Sequence, residues 1–535
     1  MKPNRRSALR RRAVPAALGT LSVLSLLSAL PAAAQPAAAD AGRPAQPVRR
    51  AVTPAEARTD AALRSLHDRP AALRDFFRAM PKGGDLHNHL SGAVTTEYLI
   101  ELAAADGLCI NTTTLAAAEP PCGTGTRPAA DARTDRAFHD AIVRAWSMQD
   151  FPPGRNGHDH FFATFDKFGE VTWRNRGKLL ADVADTTVRN NQFYLETMVT
   201  PASDGAKKLA AEVGWDDDLA ALHRTLLAGG KLDKLVADAR KEADAGDTEF
   251  RAAEHCGTSK ARPGCGLTVR WISQANRGSS PERTFTQLAL GMRLAEADPR
   301  FVAVNLVQPE DWDSSLRNYS LQMRMVGYLR TQYPKAHVSL HAGELWPGLV
   351  KPEALKSHIE EAVDVAHTER VGHGVDLRWE DDWRRTARTM AKRRIAVEVP
   401  FSSNAQILGV KGGDHPFTTY LRYGVPVVLS TDDPGVSRID ITHEYQYAAE
   451  TYGLGYPELK DLARTSLEYA FLPGASLWQG NPTAQGFHPV PVCRAERPGL
   501  PVRGAGCRKF LGGSAKAQLE WRQEAAFAAF ERAHA

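Results

Sequence analysis

Apolar residues in this chain gather in short runs, each closed by a polar or glycine-bearing patch, and the longer stretches between them carry the spacing of amphipathic helices. The runs Gly84 to His89, Phe193 to Val199, Leu267 to Ser273, Phe301 to Val307, His337 to His341, Val371 to His373, Ile395 to Val399 and Val425 to Ser430 read as eight strands. A helix end is predicted over Asp75 to Pro81, just before the first of them. Strands that alternate with helices in this way predict an α/β fold, a closed parallel (β/α)8 TIM-type barrel, whose functional groups gather at the C-terminal strand ends. The barrel is expected over residues 57–480. An insertion after the first strand, 109–159, should shape its mouth, and a disulfide-bearing C-terminal extension, 481–535, ends in a helix-like run from Ser514. No internal repeat is evident.

Charge changes this picture only at the amino end. The 535 residues carry a formal net charge of +5, but Lys2, Arg5, Arg6, Arg10, Arg11 and Arg12 all precede the first acid, Asp40. Without them the remainder is near −1, which gives no electrostatic case for a nucleic-acid partner. Those basic residues, the apolar run Ala13 to Leu30 and the small residues Ala32-Ala33-Ala34 read as a signal peptide over 1–34. Residues 35–56, rich in Ala, Pro and Arg, read as a flexible linker. The expected location is therefore secreted or periplasmic, with no membrane partner once the signal is removed; Arg11-Arg12 leaves the export route open.

Export changes the reading of the six cysteines. They fall in three close pairs, Cys109 with Cys122, Cys256 with Cys265 and Cys493 with Cys507, each flanking a Gly- or Pro-containing segment. Of the connectivities that six cysteines formally allow, this local one closes three short loops and suits an oxidising compartment. Thiolate metal ligands would favour a Cys-x-x-Cys spacing, which is absent.

Candidate chemistry lies at the strand ends. His87-Asn88-His89, Ser339-Leu340-His341-Ala342-Gly343-Glu344, Gly372-His373-Gly374 and Ser430-Thr431-Asp432-Asp433 each follow an apolar run. On a strand, residues two apart share a face, so His87 and His89 can point two imidazoles into one cavity. His341 and Asp432 would add a third nitrogen and a carboxylate, a set that suits zinc and leaves a position open. Taken singly, each of these residues has an ordinary packing or capping explanation; their recurrence at four strand ends argues for a site.

Met80 to Leu90, Ser339 to Glu344, Arg370 to Gly374 and Ser430 to Pro434 resemble the signature blocks of the adenosine deaminase family. The likeness continues through His443-Glu444-Tyr445 and Leu462 to Glu468, so that it spans about Met80 to Leu472. With a leader and disulfides, the chain looks most like the secreted adenosine deaminase-related growth factor branch. The resemblance implies one zinc per chain, held by His87, His89, His341 and Asp432. It implies Glu344 as the proton donor to the ring nitrogen, His373 as the residue that holds the attacking oxygen, and Asp433 as a contact to the purine. It also points to Phe161 and Phe165 as a hydrophobic lid. Ser91 stands where related chains have a ribose-contacting acid, Gln308-Pro309 replaces a glycine that faces the purine, and Pro400-Phe401 replaces Cys-Pro ahead of a retained Ser403-Asn404.

The expected function is a secreted zinc-dependent purine nucleoside deaminase, converting adenosine or 2'-deoxyadenosine to inosine or 2'-deoxyinosine plus ammonia. The partner is a small-molecule purine nucleoside; oligomeric state is left open. The departures at Ser91 and Gln308 keep adenine, N6-modified adenosine and AMP as alternative substrates. A non-catalytic adenosine-binding or signalling protein is the other alternative, and it predicts decay of a constellation that is intact here. A two-metal amidohydrolase would want a bridging Lys or carboxylate at the fourth strand's end, where Gln308 and Pro309 precede Glu310.

Overall fold

The structure, a computed structural model, describes residues 51–534. The expected signal peptide and most of the expected linker lie outside the described residues. The folded part starts slightly before the anticipated boundary, with a helix over Pro54–Arg64. Its start is fixed by a capping box: the Thr53 side chain accepts the Glu56 N–H, and Glu56 accepts the Thr53 N–H in return. The next helix, Pro70–Ala79, stops just ahead of Pro81, as the restriction on residues preceding proline requires.

Eleven strands are described: β1 (Gly84–Asp85), β2 (Cys109–Asn111), β3 (Ala117–Ala118), β4 (Thr126–Pro128), β5 (Tyr194–Val199), β6 (Thr268–Asn276), β7 (Phe301–Val307), β8 (His337–Ala342), β9 (Arg370–His373), β10 (Ala396–Val399) and β11 (Val427–Leu429). Eight of them form one parallel sheet in the order β1-β5-β6-β7-β8-β9-β10-β11. All eight coincide with the strands expected from the apolar runs. The ends of this sheet meet: Asn88 bridges Asp432 in parallel, His89 N–H donates to the Asp432 carbonyl at 2.9 Å, and Asp432 N–H donates to the His87 carbonyl at 2.8 Å. The ring therefore closes at its C-terminal rim, between the two segments that carry His87-x-His89 and Asp432.

The barrel interior is not wholly apolar. Leu86, Tyr194, Ala396 and Val428 pack with Leu467, Ala470 and Leu472, while Met198, Ile272, Ala303 and Val307 pack with Phe471, so residues 467–472 fill one end. Beside them Arg370, fully buried, meets Glu196 and Glu398 at 2.5 Å each and stacks on Phe471, 3.8 Å from its ring centroid. Charges so placed are tolerable only because each has a partner.

Two additions frame the barrel. The 109–159 insertion holds a small antiparallel sheet, β3-β2-β4, which the sequence pattern did not suggest, closed by Cys109–Cys122. At the other end, Cys493–Cys507 is buried with Leu477, Trp478 and Leu511. The final helix Ala515–Ala533 is held to the helix Tyr456–Glu468 by Arg464–Glu524 at 2.7 Å. Lys460 reaches both Glu531 (2.7 Å) and Glu56 (3.0 Å), tying the last helix to the first. The third bridge, Cys256–Cys265, completes the pairing expected from spacing and leaves no free cysteine among the described residues. Each such short loop closure stabilises by about 2–4 kcal/mol.

Candidate metal centre

The four expected ligands converge. His87 and His89 extend beyond β1 with alternating orientation, and Asn88 turns to the opposite side, where it donates to Thr431 Oγ1 at 3.2 Å and accepts from Thr197 Oγ1 at 2.7 Å. His341 comes from the end of β8 and Asp432 from the loop after β11. The His341 Nε2 atom lies 3.1 Å from His87 Nε2 and 3.2 Å from His89 Nε2. Asp432 Oδ1 is 3.2 Å from His89 Nε2 and 3.5 Å from His87 Nε2. All four side chains are buried.

Hydrogen bonding behind the histidines shows what this cluster can hold. His87 Nδ1 meets Glu398 Oε2 at 2.7 Å, and His89 Nδ1 meets Gln274 Oε1 at 3.1 Å. His341 Nδ1 is 2.8 Å from Asn305 Oδ1, an atom that also accepts the His341 backbone N–H at 2.9 Å and so is fixed as oxygen. With each Nδ1–H donated outward, three bare Nε2 lone pairs and a carboxylate oxygen face one another inside the protein. Some positive charge must lie between them to relieve the repulsion. A divalent cation supplies it, since ligand atoms about 2.0–2.1 Å from a tetrahedral metal are themselves separated by about 3.3 Å. The donor set fits a metal.

Electrostatics agree. Burial and the neighbouring imidazoles hold His341 well below the usual histidine range, leaving its lone pair available. Burial opposes charge on Asp432, but hydrogen bonds from His87 and His89 outweigh it and keep the carboxylate ionised. At His87 burial is again outweighed, by Asp432 and Glu398, which raise it to about 10; Asp432 is the carboxylate that would face a cation at Nε2, while Glu398 sits behind the ring at Nδ1.

Beside the cluster stand Glu344 and His373. Glu344 Oε1 is 3.8 Å from His373 Nε2, and His373 Nε2 is 4.0 Å from Asp432 Oδ2. Burial, reinforced by Asp432 and opposed by Arg277, pushes the Glu344 carboxyl up to about 8. Nearby Glu310 moves the other way: burial is overcome by Arg277 and His358, and the pKa falls to about 2. Glu310 accepts the backbone N–H groups of Gly343 (3.1 Å) and Glu344 (2.9 Å). Two adjacent carboxyls are thus pushed apart, one ionised and structural, one held as an acid; such separation marks acid–base sites.

Asp433 is buried, its Oδ1 has no hydrogen-bond partner among the described residues, and burial together with Asp432 raises it well above the usual carboxylate range. A Cβ on Gly92 would sit 1.8 Å from Asp433 Oδ1, so only glycine leaves room for this carboxyl. The backbone contributes strain: His373 (φ 66°), Asp432 (φ 63°) and Gln308 (φ 81°) occupy the left-handed region, which is uncommon for such residues and concentrated at functional sites. Gln308 thus keeps a glycine-like backbone, while its side chain accepts the Gly278 N–H at 3.0 Å. Ser91 is half-buried in the short helix Leu90–Ala93 after His89. Phe161 lies in the main hydrophobic core with Phe165 packed against it.

Glu398, Asn305, Gln274, Arg277 and Glu310 were not singled out by the sequence. Part of their signal was present: Glu398 and Asn305 are buried polar residues inside strands that are otherwise buried or nearly so, where an uncompensated polar group is costly; Gln274 lies in the half-buried β6.

A family model described as adenosine deaminase matches residues 247–476. That range includes His341, Glu344, His373 and Asp432, and begins well after the His87-x-His89 segment. The adenosine deaminase of Salmonella heidelberg (strain SL476) is 39% identical over 137 residues, which cover 25% of this chain and 38% of that protein. Among solved structures, Arabidopsis ADAL complexed with IMP is 19% identical, with a TM-score of 0.49 over 74% of this chain and 94% of that one. An amidohydrolase from Burkholderia ambifaria with bound Zn is 17% identical, with a TM-score of 0.46 over 90% and 98%.

Proposed function

We propose, from the premise that the chain belongs to the adenosine deaminase family, that it is a zinc-dependent aminohydrolase acting on a purine nucleoside. The observation that carries this reading is the convergence of His87, His89, His341 and Asp432 with every histidine Nδ1 already engaged behind it. These four residues would hold one zinc, whose chemistry there is to make water nucleophilic at neutral pH. Glu344, buried and held protonated, donates to the purine ring nitrogen next to the attacked carbon, so that the ring can accept electrons. His373 hydrogen-bonds the attacking oxygen and steadies the charge that develops on it. Asp433, neutral through burial, donates to the far edge of the purine.

Adenosine and 2'-deoxyadenosine are the expected substrates, with adenine, N6-modified adenosine (assayed as N6-methyladenosine) and AMP as alternatives because of the departures at Ser91 and Gln308-Pro309. An ultraviolet assay of zinc-loaded protein against these five compounds is expected to show turnover of the first two. No release of ammonia, or of methylamine from N6-methyladenosine, would overturn the reading in favour of a binding or signalling protein.

We also place the protein outside the cytoplasm, in the growth-factor-like branch, with its leader removed. Three disulfides support this. Intact-mass analysis of exported protein is expected to show a chain starting at Gln35 with no free thiol; a retained leader would contradict it.

A further inference from the structure

Behind His373 lie two more buried polar side chains. His373 Nδ1 is 2.8 Å from the atom placed as the Asn404 amide oxygen, and the atom placed as the amide nitrogen is 2.9 Å from His415 Nε2. His415 Nδ1 is in turn 3.1 Å from the backbone nitrogen of Phe417. His373, Asn404 and His415 are each at most 1% exposed. With solvent excluded, their hydrogens are placed by one another.

Only one direction satisfies this series. Phe417 opens the helix Phe417–Tyr423, and the first N–H groups of a helix have no partner within it and must donate outward. A backbone N–H cannot accept, so His415 Nδ1 is the bare nitrogen. Burial keeps the His415 ring neutral, lowering it to about 3, so its single proton is on Nε2. That Nε2–H needs an acceptor, and the Asn404 amide offers one in its oxygen; an Asn side chain fits its space either way round, and its partners decide which end is which. The amide nitrogen then faces His373 and donates to Nδ1. The His373 proton is left on Nε2, which has no partner among the described residues and points toward Glu344 Oε1 (3.8 Å) and Asp432 Oδ2 (4.0 Å).

We propose that Asn404 and His415 are positioning residues that set the tautomer of His373: the polarity of the Phe417 N–H passes through His415 and Asn404 and fixes His373 as a donor into the site. The chemical meaning of that donor rests on the aminohydrolase reading; the position of the proton does not. A ring so fixed hydrogen-bonds the oxygen that attacks the purine, and its inward nitrogen has no lone pair with which to take a proton from water. His373 is a stabiliser of developing charge, and the general-base role falls elsewhere.

Nitrogen-15 NMR of the imidazoles in the full chain, with and without zinc, reads the tautomer directly, with His373 assigned by comparison with His373→Asn. The wild type is expected to show His373 protonated at Nε2; protonation at Nδ1 would overturn the proposal. Asn404→Asp presents two acceptors where one donor is needed. It is expected to move the His373 proton to Nδ1 and lower kcat by about 10²–10³, the loss typical of one donor aimed at developing charge, with little change in KM. An unchanged kcat with the proton on Nδ1 would also overturn it. His415→Gln, able to accept from Phe417 and donate to Asn404, should retain far more activity than His415→Leu; equal losses would count against the relay. If no purine is turned over while Nε2 carries the proton, the relay stands and the aminohydrolase reading falls.

Discussion

With Asp432 replaced by alanine, the purified chain is expected to hold no stoichiometric metal and to deaminate purines at least 10²-fold more slowly. The magnitude follows from position. Removing a residue that only supports a ligand costs about 10–100-fold in metal affinity or activity, whereas Asp432 supplies the only carboxylate oxygen of the cluster. Its Oδ1 lies against His87 and His89 while Oδ2 accepts the Ser403 hydroxyl at 2.6 Å, so the carboxylate is held in orientation from behind. Alanine leaves only the three imidazole nitrogens and removes the charge that balances a divalent ion. Elemental analysis and the ultraviolet assay on one preparation decide it: a metal-free variant with full activity would end the assignment.

Glu344→Gln should separate metal binding from proton transfer. Glutamine keeps the shape of the side chain but cannot deliver a carboxyl proton. Glu344 does not join the four-residue cluster; its carboxyl faces Arg277 Nη2 and His373 Nε2, each at 3.8 Å. The variant is therefore expected to retain its zinc and its affinity for a purine inhibitor while turnover falls by about 10²–10⁴, the range for a positioned general acid. Lost zinc would make Glu344 a ligand, and an unaltered rate would remove it from the chemistry.

The strands and the metal cluster were legible for one reason: buried parallel strands leave continuous apolar runs, and the residues just past them face the barrel mouth. His87, His89, His341 and Asp432 stand at such ends, so their spacing against the runs is visible in one dimension. The supporting residues were not, because their meaning depends on partners far away in sequence. Glu398 is a lone acid in a strand until His87, 311 positions earlier, lies 2.7 Å from it. Arg277 follows β6 as an ordinary polar residue and acquires its role only beside Glu310 and Glu344. The start of the first helix was masked by composition: Pro54 and its alanines resemble a linker, although the Thr53 and Glu56 pair that caps the helix was readable. The small β3-β2-β4 sheet was missed because its strands are two or three residues long, too short for an alternating pattern to register.

Closure of the ring between Asn88 and Asp432 bears on when the site comes into being. Those residues are separated by most of the folded chain, so their pairing is among the longest-range contacts in the molecule, and contacts of that kind carry the largest loop-closure entropy and form slowly. Three of the four cluster residues, His87, His89 and Asp432, sit on that last junction. A nascent or truncated chain that has not yet laid β11 against β1 has the histidines but no cage. The complete four-residue cluster is thus a product of finished barrel assembly, since its carboxylate and two of its histidines meet only where the ring closes.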